Sequence, residues 1–218
     1  MRLLAAGLFT CLLLLQLPLA APFESCSCTA DDRSCSASIS CPGGCIAYCP
    51  SGACRATCSK PGTAGGEIGP ILMKPITLHS RKGSSEHVAS ELARITAMQV
   101  SFVPNDRREK FNLDAKDIPL WDVLETLSVS GELKIGGEDF ASLRAARQSI
   151  VSGERMKVCI HNASAQSVVD EFAGISGLPI RITAGDPQTI VNLTVQAATL
   201  DEAMAQISEQ TGVQITVR

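Results

Sequence analysis

Eight cysteines crowd the stretch between Cys26 and Cys58: Cys26, Cys28, Cys35, Cys41, Cys45, Cys49, Cys54 and Cys58. Thiols at this density either pair as disulfides or hold a metal as thiolates. Zinc sites favour CxxC spacing with a second pair or a histidine close by. This segment contains neither a CxxC nor a histidine. Turn residues separate its cysteines in Cys41-Pro42-Gly43-Gly44-Cys45 and Cys49-Pro50-Ser51-Gly52-Ala53-Cys54. Cys45 with Cys49, and Cys54 with Cys58, fall on one face of a strand, which suits cross-strand bridging. The reading is a set of short hairpins stapled by four disulfides, with no metal ligated. Spacing leaves the pairing open.

The other chemical candidates are thin. Cys159 and His161 share one strand face, but residues two apart on a strand stand about 7 Å apart, beyond hydrogen-bond reach. Cys159 therefore reads as an unpaired structural thiol, with an intermolecular disulfide as the alternative. His87 opens a helix and reads as solvated. Gly174-Ile175-Ser176-Gly177 lacks the spacing of a nucleophile elbow, and Gly65 to Gly69 reads as linker rather than phosphate cradle. The sequon matches at Asn162 and Asn192 read as chance. Trp121 lies beside the helical stripe Leu120, Leu124 and Leu127, so it either packs on the flank or anchors a partner. It is the interaction candidate. No catalytic residue, cofactor or small-molecule substrate is expected.

These residues must be positioned by elements, and the elements come twice. Shifted by 80 residues, Ile76–Ile135 lies on Met156–Ile215 without a gap. Identities fall at Ser84/Ser164, Val88/Val168, Glu91/Glu171, Ala93/Ala173, Asn112/Asn192, Leu120/Leu200 and Ile135/Ile215, among others. In the second copy Met156, Val158 and Ile160 alternate as a strand. Val168, Phe172 and Ile175 follow at helical spacing, with Gly177 as the stop. Two more alternating runs come next. Thr199 with Glu202 then forms a capping box, and Gly212 closes that helix before the last strand. In the first copy Pro119 suits the first turn of the second helix and Gly131 its end. The order is β-α-β-β-α-β in each copy. The expected class is α+β, each copy a small sheet with two helices on one face.

The N-terminus reads as a secretory leader. Arg2 precedes an apolar run, and Leu17-Pro18-Leu19-Ala20-Ala21 gives a processing end; an uncleaved anchor is the alternative. Net charge is −3 with no basic block, which argues against nucleic acid as partner. The expected organisation is leader 1–20, cysteine-rich segment 21–60, Gly/Pro linker 61–70, first repeat 71–136, helical connector 137–154 and second repeat 155–218. The last of these spans a complete unit and is expected to fold by itself. In the connector, Phe140, Leu143, Ala146, Arg147 and Ile150 are helix-like, so it is expected to pack between the repeats.

The second copy resembles the secretin and TonB short N-terminal domain. Ser176-Gly177-Leu178, Thr199-Leu200-Asp201-Glu202-Ala203-Met204 and Thr211-Gly212-Val213 carry the resemblance. It covers 155–218, and more weakly 75–136. It implies paired β-α-β motifs in the bacterial periplasm, contacting other envelope proteins. No barrel pattern follows, so pore formation and transport are not implied. The expected function is a non-enzymatic, exported protein-binding or adaptor module whose partner is an envelope protein, with self-association left open. The alternative is an extracellular, disulfide-rich structural protein.

Overall fold

The computed structural model describes residues 23–30, 33–59, 68–106 and 110–217. The expected leader lies outside them, as does the linker up to residue 67. Gly69 and Pro70, read above as linker, already open a helix.

The cysteine-rich segment forms β1 (Phe23–Thr29), β2 (Ser36–Pro42), β3 (Cys45–Cys49) and β4 (Arg55–Cys58). β1 pairs antiparallel with β2, and β3 with β4. Cys26–Cys45 and Cys28–Cys49 join β1 to β3, and Cys41–Cys58 joins β2 to β4. Cys35–Cys54 ties the residues just before β2 and β4. The four expected bridges are present, but they run between two stacked hairpins rather than across one. Cys45 and Cys58 face each other in the β3–β4 register and bond elsewhere. The bridges close loops with sequence separations of 17 to 21 residues. A loop of that size restrains the unfolded chain by about 3 kcal/mol.

A short helix, α1 (Gly69–Leu72), leads into the first repeat. That repeat is β5 (Pro75–Gly83), α2 (Ser85–Thr96), β6 (Val100–Pro104), β7 (Phe111–Pro119), α3 (Leu120–Ser128) and β8 (Gly131–Ile135). The connector holds β9 (Glu138–Asp139) and α4 (Phe140–Val151). The second repeat is β10 (Met156–Ser164), α5 (Ala165–Ser176), β11 (Arg181–Ala184), β12 (Ile190–Ala198), α6 (Leu200–Thr211) and β13 (Gln214–Thr216). Class and element order are those expected.

The sheets are not. Each repeat has two, not one: its first and third strands pair, as do its second and fourth. Each helix touches a strand of both sheets. α5 buries Val168, Val169, Phe172 and Ile175, and α1 and α4 pack on it as well. Gly131 also departs from its expected role: α3 ends at Ser128, and Gly131 opens β8, where a Cβ would meet the Val103 carbonyl oxygen at 2.3 Å.

The two repeats agree to the level of register. Leu78↔Ala115, His79↔Asp114 and Ser80↔Leu113 in β5–β7 shift by 80 onto Val158↔Val195, Cys159↔Thr194 and Ile160↔Leu193 in β10–β12. Both first strands bulge at the same place, with Lys82 and Asn162 each at φ 52°. The freed N–H of each donates to an asparagine, Asn112 or Asn192, at 2.9 Å. Ser84 and Ser164 then cap the following helices.

The three zones share one apolar core. α4 buries Phe140, Leu143, Ala146 and Ile150, and touches α3 and β8 on one side and α5 on the other. It packs between the repeats, as expected. β3 adds to the free edge of β10, giving a four-stranded sheet in the order β12-β10-β3-β4. The second repeat is therefore completed by the cysteine-rich segment, which changes the expectation that it folds by itself. α1 crosses α5 backbone to backbone: a Cβ on Gly174 would stand 1.7 Å from the Gly69 carbonyl oxygen. Among the described residues, no helix is long and apolar enough to cross a membrane.

Two predictions test this shared core. Alanine is the better helix former by about 1 kcal/mol, yet overpacking costs about 1–3 kcal/mol and here meets rigid backbone. Gly174→Ala should therefore lower the urea midpoint; a raised midpoint would remove the crossing. A fragment of residues 155–218 should lack the cooperative transition of the whole chain, since β10 loses β3. An equal, cooperative melt of that fragment would restore the self-sufficient repeat.

Candidate functional site

The site is built where β3 and β4 dock on the second repeat. Strand alternation splits β3 between two environments. Ile46 and Tyr48 enter the main core, with the Tyr48 ring 4.8 Å from that of Phe172. Cys45, Ala47 and Cys49 face the β1 side and pack with Cys159. The register runs Lys157↔Cys49, Val158↔Tyr48, Cys159↔Ala47, Ile160↔Ile46 and His161↔Cys45. Polar contacts frame the dock. Asn162 Nδ2 donates to the Gly43 carbonyl at 2.6 Å, and the Ser167 hydroxyl donates to the Ser59 carbonyl at 3.1 Å.

A polar network closes beneath it. Glu171 on α5 is fully buried. Its Oε1 accepts from the Tyr48 hydroxyl at 3.0 Å and from Arg55 Nη2 at 3.2 Å. Its Oε2 accepts the Gly69 backbone N–H at 3.2 Å. Arg55 Nε donates to the Tyr48 oxygen at 2.7 Å, and its Nη1 pairs with Glu138. One guanidinium thus holds two carboxylates from different parts of the chain, one in the connector and one in the second repeat. Burial disfavours the Arg55 cation, but Tyr48, Glu171 and Glu138 outweigh it and hold its pKa above the ordinary value. Burial pushes the Tyr48 hydroxyl well above its usual range, Arg55 opposing and Glu171 adding. Burial likewise raises Glu138, against Arg55 and with Glu171. The Glu138 side chain stays 33% exposed, so solvent screens part of this.

The expected site residues fall as follows. The eight cysteines are spent in bridges, so no thiolate among them is left for a metal. Cys159 is free and buried under β1, without a His161 contact. His87 is exposed, its N–H on the Ser84 hydroxyl. Asn162 and Asn192 are structural, holding the bulge. Trp121 is a correction: it is 3% exposed, not a surface anchor. The α4 helix covers it, with the Phe140 ring 4.9 Å away and the Arg147 guanidinium stacked at 4.3 Å. Its indole N–H donates to Glu125 at 3.2 Å. Its repeat counterpart Asp201 is exposed, and among the described residues no helix covers α6 as α4 covers α3.

Tyr48, Arg55, Glu138 and Glu171 were not singled out in the sequence. The available signal was the identity Glu91/Glu171, a carboxylate beside the apolar stripe in both copies. A second uncredited feature is an exposed pair on the first repeat, His79 Nδ1 and Asp114 Oδ1 at 2.5 Å. With Ser80, Arg81, Lys82, Asn112 and Leu113 it lines a cleft of about 840 Å³. Compared with family models, with curated proteins and with solved structures, the chain matches none.

Three variants test the network and its neighbour. Arg55→Met leaves the buried Glu171 without its cation and should cost about 3–5 kcal/mol in urea unfolding. Glu138→Gln should do the opposite or nothing. The native carboxyl binds its proton at higher pH than the unfolded one, so its stabilising share grows as pH falls through the raised native value. At neutral pH the ionised form costs stability. Glu138→Gln should hold or raise the neutral-pH melting point and flatten its rise toward weakly acidic pH; a large loss at neutral pH would contradict the raised pKa. Trp121→Ala should lose about 3–5 kcal/mol, as a core residue does. Unchanged melting would return Trp121 to the surface.

Proposed function

We propose that the protein is an exported, non-enzymatic interaction module of the bacterial cell envelope, working by receiving β-strands at the sheet edges of its repeats. One observation carries this reading: β3 adds to β10 as an antiparallel fifth strand of a β-α-β-β-α-β unit, so the unit is a strand acceptor. The four disulfides fit an oxidising, exported compartment. The resemblance of 155–218 to the secretin and TonB short N-terminal domain supports the periplasm over release. The non-enzymatic part rests on how the buried polar groups are used. Both Glu171 oxygens and the Arg55 fork are consumed by one another and by Tyr48, Glu138 and Gly69.

Fractionation of the native cell with crosslinking in place tests it. The expected result is a periplasmic protein in a discrete, saturable complex with another envelope protein. Recovery only from the medium, free of any complex, would favour the extracellular structural reading.

A further inference from the structure

The duplication offers an internal control. The β10 edge is occupied by β3, whereas among the described residues no strand pairs on the β5 edge, which is identical in register. Shifting the β3 contacts of Lys157–His161 by 80 residues lands on Thr77–Arg81. The outward face tells the same story. Cys159 is buried under β1, while its counterpart His79 has a side chain 60% exposed, and Thr77 and Arg81 are exposed beside it. Free edges elsewhere, such as β12 and β7, are free in both repeats and offer no such template.

The helix behind the edge is prepared in the same way. Glu91 on α2 is the counterpart of Glu171. Glu171 is sealed by a tyrosine and an arginine delivered from the docked hairpin. Glu91 remains 31% exposed and bonds only its own Arg94 at 2.9 Å, whose side chain is 70% exposed and free to swing away. A further sign is Ser80. It faces inward on β5 with Ile76 and Leu78, is 3% exposed, and its hydroxyl has no partner among the described residues. A buried hydroxyl left unpaired costs free energy until something bonds it.

We propose that the β5 edge at Thr77–Arg81, with Glu91, receives an antiparallel strand from another exported protein. This rests on the interaction-module reading and names its site and ligand class. The ligand strand alternates as β3 does. Its inward residues are apolar or aromatic and bring a tyrosine hydroxyl or guanidinium to Glu91. Its outward residues are acidic or polar rather than cysteine, because Arg81 and Lys82 stand exposed on the outward side of this edge, beside a His79 already paired with Asp114. A second copy of the chain does not supply it through β3, since each β3 is already held by its own β10, its bridges and its Glu171. The ligand also lacks a helix like α1. Where α5 has Gly174 under the α1 crossing, α2 has Arg94.

The probe is the hairpin already known to fit the sister site: a synthetic peptide of residues 41–58, closed by its Cys41–Cys58 bond, with Cys45, Cys49 and Cys54 replaced by alanine. It is titrated into the intact, oxidised protein, and backbone amides are followed by NMR. The expected result is shift changes and slowed exchange concentrated at Thr77–Arg81 and around Glu91. Glu91→Gln, on a half-exposed helix position that leaves the fold intact, should weaken binding about tenfold, the loss of a charge-assisted hydrogen bond. A hairpin carrying Tyr48→Phe and Arg55→Met should weaken it likewise. Perturbation centred on β12 or on β1–β2, or none with about 1 mM hairpin, overturns the site. The cellular complex separates the two readings. If it forms but withstands Glu91→Lys, the partner uses another surface and this inference fails alone. If no complex forms in the wild type, the interaction-module reading fails first.

Discussion

Everything in this structure has to accommodate one buried carboxylate. Glu171 is out of water, and an ionised carboxylate there is tolerated only if its lone pairs are met by donors and its charge by a cation. The donors come from far away in sequence: Tyr48 and Arg55 from the cysteine-rich hairpin, and the Gly69 amide from α1. Each demands something further. The amide reaches Glu171 only if α1 lies against α5 without side chains between, hence glycine at both 69 and 174. Tyr48 and Arg55 arrive together only if β3 and β4 are held as a hairpin. Arg55 then has capacity left over, and Glu138 takes it, drawing the connector onto the same point.

The internal repeat explains which parts of this were legible. Strand and helix order followed from periodicity, and caps and stops from Thr199, Glu202, Gly177 and Gly212. These are local signals, set by neighbours within one turn or one strand. The count of bridges was legible because the cysteine set is even and dense. Their partners were not, since pairing runs between layers, and layers are a tertiary fact. The sheet arrangement was misread because period-two alternation says which face of a strand is apolar, not which strand it pairs with. Trp121 was ambiguous for the same reason: its burial depends on α4, and the second repeat, which has no helix in that place, gave the opposite hint through Asp201. The network escaped notice because Tyr48 and Glu171 are 123 residues apart and each looks ordinary alone.

Duplication followed by unequal covering is the structural theme. The repeats keep their bulge, its asparagine and their first-helix caps. They differ where another segment lies on them. Glu171 is sealed and Glu91 is wet; Gly174 admits a crossing and Arg94 does not; Trp121 is roofed and Asp201 is open. Such pairs separate residues that serve the fold from residues that serve a neighbour. What both copies share builds the unit. What only the covered copy has records the chemistry of its cover.

The covering of the second repeat is conditional on oxidation. The hairpin that carries Tyr48 and Arg55 is small, and its outward residues are cysteines with little apolar bulk. Without bridges, β1 is held over β3 only by packing of small residues, and ordering the segment must be offset by the β3–β10 pairing and the inward contacts of Ile46, Tyr48 and Arg55. With bridges, the segment is restrained before docking, and the cost of ordering it falls mostly on the unfolded chain. The benefit appears far from any sulfur, at Glu171, whose charge is met only when the hairpin is in place. The disulfides and the buried carboxylate are therefore one device. In a reducing compartment the second repeat would face the burial of Glu171 with its tyrosine and arginine unrestrained. In an oxidising one they are delivered already positioned, and the docked edge becomes a permanent part of the fold.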